Sequence, residues 1–126
     1  MADSPNRIMG RATITVDGKR LATKPGAEWD PTTGERSPEM GEFAPEGFTE
    51  KAKAAMLKVD VFKKPGITAS SLYAIKDATV EFVGDDGYTG TLVAATVLKV
   101  GPIKTGGGGA TWSVEMFGMT ANEASS

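Results

Sequence analysis

The stretch from Asp77 to Met119 constrains the fold more than any other part of this chain. Ala78, Val80 and Phe82 alternate with Thr79, Glu81 and Val83. That period of two marks a strand with one buried face. Gly84-Asp85-Asp86-Gly87 follows, and Asp-Gly is a tight-turn signal because both residues tolerate positive φ. A longer β-rich run covers Tyr88 to Val100, with Leu92, Val93, Val97 and Leu98. Gly101-Pro102 and four glycines at 106–109 then break the pattern. A last strand is expected over Thr111 to Phe117, with Trp112, Val114 and Met116 on one face. Three consecutive strands joined by turns make an antiparallel meander, the expected sheet core.

The rest of the chain adds a hairpin, a loop and a helix. Ala12, Ile14 and Val16 alternate with Arg11, Thr13 and Thr15, and Asp17-Gly18 is a second tight turn. Lys19 to Thr23 would return, anchored by Leu21. Thr49 to Phe62 has helix formers at its start and strand formers at its end. Its alternation places Ala52, Ala54, Met56, Lys58, Asp60 and Phe62 on one face and Lys51, Lys53, Ala55, Leu57, Val59 and Val61 on the other. We read it as one strand with a solvated face. Lys63-Lys64-Pro65-Gly66 is a turn, and one short helix is expected at about 69–76, capped by Thr or Ser and burying Leu72 and Ile75. Residues 120–126 read as a polar tail.

Lys24 to Phe48 carries four of the seven prolines and glycines at 26, 34, 41 and 47, so it reads as a loop. Its six acidic residues against Lys24 and Arg36 give a net −4. A structureless loop of this length in a compact domain is usually functional or disordered. A solvated linker does not usually carry Trp29, Met40, Phe43 and Phe48. We take these four as anchors for a partner surface, the alternative being that they fold back on their own domain. Residues 1–10 form a polar arm in which Arg7, Ile8 and Met9 read either as a frayed end or as a segment ordered by a neighbouring subunit.

Composition narrows the function classes. At 126 residues the chain is one domain, 1–126, large enough for its own core. The net charge of −2 argues against a dedicated nucleic-acid binder. No window approaches the ~20 apolar residues of a membrane span, and MADSPNRIMG lacks the apolar core of a signal peptide. With no His and no Cys, Ser-His and Cys-His nucleophile pairs and Cys/His zinc sites are impossible. The absence of Cys also excludes disulfides and fits a reducing compartment. The four-glycine run is not a phosphate loop, because Lys104-Thr105 precede it and a strand follows. Asp85-Asp86 lacks the spacing of a calcium loop. No carboxylate pair stands out as general acid and base. We therefore expect a non-enzyme with no metal or cofactor. Sixteen glycines suit an all-β chain.

Three stretches together resemble the tail tube proteins of contractile-tailed bacteriophages, especially the Mu-like group. They are NRIMGRATITVDGKRL, SSLYAIKDATVEFVGDDGYTGTLVAATV and WSVEMFGM. The resemblance implies a mainly β fold, an antiparallel sandwich or barrel-like domain with one short flanking helix and a long loop. It implies hexameric rings stacked into a tube inside a sheath, with tape measure, baseplate and tail terminator proteins as partners. DNA would pass through the lumen without specific binding. The setting it implies is a virion tail assembled in the bacterial host cytoplasm. On this sequence, the strands at 49–62 and 78–118 would supply the lumen wall. Thr79, Glu81, Thr89, Thr91 and Thr96 are its candidate lining residues. A neutral or negative lining suits passage, because phosphates gain affinity from Lys and Arg; Lys51, Lys53 and Lys58 must then face outward or be paired. The competing readings are a monomeric decoration or adhesin domain and an OB-like binding module, which would need basic residues among exposed aromatics.

Overall fold

The computed structural model describes residues 8–124. The expected opening hairpin is present: β1 (Ala12–Val16) pairs antiparallel with β2 (Lys19–Leu21). Asp17 and Gly18 both have positive φ, 48° and 83°, as a two-residue turn matched to strand twist requires. β1 also pairs with β7 (Ala78–Gly84). The meander is there too, β7 pairing with β8 (Thr89–Lys104) and β8 with β9 (Thr111–Gly118), all antiparallel. β9 pairs with β6 (Ala55–Phe62), and β6 with β3 (Glu28–Asp30). The strand order is therefore β2-β1-β7-β8-β9-β6-β3.

β8 serves both ends of this sheet. Residues 89–95 pair with β7, and residues 96–104 pair with β9. Between the two halves the register shifts, and Ala94 adopts a φ of 54°. Such a bulge bends the strand and increases its twist. The halves fold face to face, and their inward side chains merge into one core. Ile14, Val80, Phe82 and Leu92 come from one half, and Leu57, Val61, Val114 and Met116 from the other. Trp29 of β3 joins the two halves. Its ring stacks on Phe82 of β7 at 5.6 Å with 7° between planes. Its indole N–H donates to the Tyr88 hydroxyl at 2.8 Å. The architecture is mainly β, with one short helix.

That helix, α1 (Ala69–Tyr73), is shorter than the expected 69–76. The Thr68 hydroxyl accepts from the Ser71 amide at 3.1 Å, and the Ser71 hydroxyl accepts from the Thr68 amide at 2.9 Å. This reciprocal cap satisfies two orphan donors. Leu72 is buried and Ile75 half-buried, while Tyr73 is exposed. The Ile75 carbonyl accepts from the Val97 amide instead of continuing the helix.

Four sequence expectations need correction. Residues 24–48 are not a structureless loop: they hold β3, β4 (Gly34–Met40) and the start of β5 (Pro45–Ala52). β4 and β5 form a separate two-stranded hairpin. Each strand of such a hairpin keeps an open edge, where a missing N–H costs no ladder bond, so Pro38 and Pro45 are tolerated. Second, 49–62 is not one strand. It breaks at Lys53-Ala54 between β5 and β6, although Ala55, Leu57, Val59 and Val61 share the buried face as read. Third, Gly101-Pro102 does not end β8. A register irregularity between Val100 and Ile103 absorbs it, on a half-strand paired with β9 alone. Fourth, 120–124 is not a tail but β10 (Thr120–Ala124), paired with the first half of β8. TANEA has little apolar content, and its strand state comes from that pairing.

Gly90 lies under Trp29, and a Cβ there would sit 2.5 Å from the indole ring. Gly90→Ala is expected to cost about 1–3 kcal/mol by overpacking. A urea melt followed by tryptophan fluorescence checks it, and an unchanged midpoint would show that the Trp29–Phe82 stack is not a fixed part of the core.

Candidate functional site

The β4–β5 hairpin is the feature the core does not use. Every residue of both strands is exposed. Met40 is 68% exposed, Phe43 93% and Phe48 64%. Five glutamates stand against Arg36 and Lys51 between residues 34 and 52, a net −3. The hairpin is ordered by its own contacts. Arg36 Nε reaches Glu50 Oε1 at 2.7 Å, and the guanidinium lies 5.6 Å from the centre of the Phe48 ring. The Thr49 hydroxyl donates to Glu39 at 3.0 Å. At the tip, the Gly41 amide donates to the Ala44 carbonyl at 2.8 Å.

The base of the hairpin is clamped. Lys53 Nζ lies 2.7 Å from Asp30 Oδ2, and the Lys53 amide donates to the Thr33 carbonyl at 3.0 Å. The Thr32 hydroxyl donates to Asp30 Oδ1 at 2.6 Å. The Lys53 hydrogen bond, then those from Thr32, pull the Asp30 carboxyl down to about 2. The clamp ties the hairpin to β3.

The anchors expected from sequence separate into two groups. Met40, Phe43 and Phe48 stand on the hairpin, open to solvent. Trp29 is half-buried and committed to its own domain through Phe82 and Tyr88. In the arm, Ile8 is 87% exposed, while Met9 lies over Gly84, where an added Cβ would overlap its thioether. Arg7 falls outside the described residues.

The candidate lining residues also separate. Thr79 and Glu81 are exposed and Thr89 and Thr91 half-buried. They share the outward face of β7 and β8, where Glu81 sits between Thr15 and Thr91 in register. Thr96 lies past the bend, opposite Phe117, and accepts from the Asp77 amide at 3.4 Å. On that second half, the outward face carries a charge row that sequence reading missed. Lys58 and Lys99 lie 3.3 and 3.5 Å from the two oxygens of Glu115, and Glu28 is in register with Lys58. The hydrogen bond from Lys58, then the charge of Lys99, hold the Glu115 carboxyl below its ordinary range. The alternation shows each residue to be outward, but only the strand register shows that they meet. Lys53 and Lys58, which a slippery channel needs paired, have carboxylate partners.

The sequence pattern of phage tail tube proteins matches residues 5–123. The chain belongs to that family. As a tail tube protein it is a structural component rather than an enzyme. Solved structures share its fold. The tube-terminating cap of the anti-feeding prophage superposes with a TM-score of 0.67 at 9% identity, covering 100% of this chain and 95% of that one. A chain of the sheath–tube complex of an extracellular contractile injection system, PVC, gives 0.61 at 10% identity, covering 93% and 90%. Hcp1 from Flavobacterium johnsoniae gives 0.51 at 13% identity, covering 91% and 95%. No curated protein matches in sequence. Among the described residues, no helix is long and apolar enough to cross a membrane.

The Asp30–Lys53 clamp carries a pH signature. Asp30 titrates lower folded than unfolded, so its stabilising contribution is full above the ordinary value of 3.8 and is lost as pH falls through about 2. Wild type should lose stability more steeply than Asp30→Asn between these values, and the two should converge below. Urea midpoints at stepped pH test this; parallel curves would show that the clamp contributes nothing.

Proposed function

We propose that this tail tube protein is the inner-tube subunit of a contractile, Mu-like phage tail, forming hexameric rings that stack into a conduit for DNA ejection. The observation that carries the reading is the β4–β5 hairpin. Isolated two-stranded hairpins are marginal in water, yet this one holds large apolar side chains in solvent on a clamped base. A neighbouring subunit that covers Met40, Phe43 and Phe48 gives those groups a use. Arg7, Ile8 and Met9 of the arm would lie against the same or an adjacent copy. The number six comes from the resemblance in sequence.

The electrostatics suit passage of DNA. Thr79, Glu81, Thr89 and Thr91 offer hydroxyls and one negative charge, with no lysine or arginine among them. Phosphate affinity comes from unpaired Lys and Arg. With Lys58 and Lys99 held on Glu115 and Glu28 in register with Lys58, the second outward face, to which Thr96 belongs, can line the lumen without gripping the duplex, whereas the first also carries Arg20, in register with Thr15 beside Glu81. Sheath, tape measure, baseplate and tail terminator proteins complete the tail, and assembly takes place in the host cytoplasm.

Negative-stain microscopy of concentrated protein, paired with light scattering, tests the reading. Stacked rings or tubes with a central hole are expected. A monomer of about the chain's 13.1 kDa that persists even with a baseplate nucleus would overturn it in favour of a monomeric decoration domain.

A further inference from the structure

Three segments meet at the C-terminal end of β6. The Phe62 amide donates to the Ala22 carbonyl at 2.8 Å, and the Lys24 amide to the Asp60 carbonyl at 2.9 Å. The Lys63 amide donates to the Ala110 carbonyl at 2.9 Å, and Thr111 is in register with both Phe62 and Lys104. Segments 22–26, 60–66 and 104–111 together hold Lys24, Lys63, Lys64 and Lys104 against one acid, Asp60, a local net +3. All four lysines are exposed. Among the described residues none of the four forms an ion pair, whereas Lys53, Lys58 and Lys99 do. Lys63 Nζ donates to the Lys64 carbonyl at 3.3 Å, and the Asp60 carboxylate accepts from the Ser113 hydroxyl at 2.9 Å. The four-glycine run stands within this cluster. Gly109 has a φ of 95°, which favours glycine. A Cβ at Gly106 or Gly107 would meet nothing within 4 Å, and one at Gly108 would make ordinary contact with Lys24 Nζ at 3.5 Å. Packing and conformation therefore do not require glycine at 106, 107 or 108. A tip without side chains does let a ligand come close to the backbone.

The same end borders the outward face of β6, β9 and β8. A groove of about 420 Å³ on that face is lined by the Lys58–Glu115–Lys99 row and reaches Lys104. Four residues of β6, from Lys58 to Phe62, separate the balanced row from the unbalanced lysines, roughly 13 Å. From these features we infer that the lysine-bearing end, with its side-chain-free tip, holds the phosphate backbone of duplex DNA without reading its sequence. The wall is charge-balanced and its rim is positive, so DNA slides along the wall and is held where the wall ends. All four side chains are Lys rather than Arg, so the contact lacks the bidentate geometry that fixes a register, which suits a polymer that must move on. The chain's net −2 does not oppose this hold. Charges more than about 8 Å away are largely screened at physiological salt, and the acidic hairpin joins β6 at its other end, eight strand residues away, roughly 26 Å. The inference rests on the tube reading, which supplies the DNA, and adds a site that retains it before ejection.

The test is fluorescence anisotropy of a labelled DNA duplex, titrated with the full chain at stepped salt, both assembled and unassembled. Neutralising four phosphates makes log affinity fall by about 3.6 per decade of salt, so a fourfold rise in salt should weaken binding roughly a hundredfold. Lys24→Gln with Lys104→Gln should reduce that slope by about half. Lys76→Gln should leave it unchanged, because Lys76 adjoins Ile75, whose carbonyl accepts from Val97 near the bend of β8. Light scattering on the same samples reports whether each variant still assembles. A slope that the double variant leaves unchanged, or wild type that does not bind the duplex, overturns this site and leaves the tube reading standing. So does displacement of the duplex by poly-glutamate or by anionic lipid vesicles as readily as by unlabelled DNA. A chain that binds DNA through these lysines but never forms rings, even on a baseplate nucleus, overturns the tube reading alone.

Discussion

The rest of the molecule depends on the bend in β8. A sixteen-residue strand with one uninterrupted alternation would hold all its partners in one layer. The bulge at Val93-Ala94 turns that layer onto itself, so that β7 and β1 face β6 and β3 across a shared core. The energetic gain is burial of alternate side chains on both inner faces at about 25 cal/mol per Å² of apolar surface. The cost is one alanine in left-handed geometry, φ 54°, which is of order 1–2 kcal/mol. Burial of a single Leu92 or Met116 side chain is of the same size, so the bend is sustained by the core it creates. The Trp29–Phe82 stack and the Tyr88 hydroxyl then tie β3 of one half to β7 and β8 of the other.

The core was legible in the sequence because the alternation is clean where burial is one-sided. Ala78, Val80 and Phe82 are buried as their spacing indicated, and so are Ala55, Leu57, Val59 and Val61. The Asp-Gly turn at 17–18 and the acidic turn at 84–87 also stand where their residue types put them. What was not legible is strand formed without a buried face. β4 and β5 are exposed throughout and contain prolines, so neither periodicity nor propensity marks them; pairing along one edge and the Arg36–Glu50 contact carry them. β10 exists because β8 offers a free edge. Trp29 looked like a partner anchor because its neighbours in sequence are polar, whereas β3 brings it under Phe82, which is distant in sequence. The Lys58–Glu115–Lys99 row was hidden for the same reason, since it depends on the register of three strands.

Charge is distributed to different ends on this fold. On the outward face of β6, β9 and β8, Lys58 and Lys99 share Glu115 and Glu28 stands in register with Lys58, so two positive charges meet two negative ones. The hairpin gathers a net −3. The region around 104–110 gathers the opposite sign: Lys24 lies near Gly108, Lys63 bonds through its amide to Ala110, and Lys104 is in register with Thr111. A molecule of nearly neutral total charge is thus a dipole along β6. Long-range fields of this kind orient an encounter before any contact is made.

That polarity also decides which associations fail. Two hairpins meeting tip to tip would bring glutamates against glutamates, and two lysine-bearing ends repel in the same way. The open edges of β4 and β5 would otherwise invite edge-to-edge pairing, as exposed strands do. Pro38 and Pro45 interrupt their donor rows, and Glu39 with Glu46 add charge beside them. The hairpin can therefore be long and partly apolar without becoming a site of indiscriminate aggregation. What remains attractive for it is an apolar surface that carries positive charge.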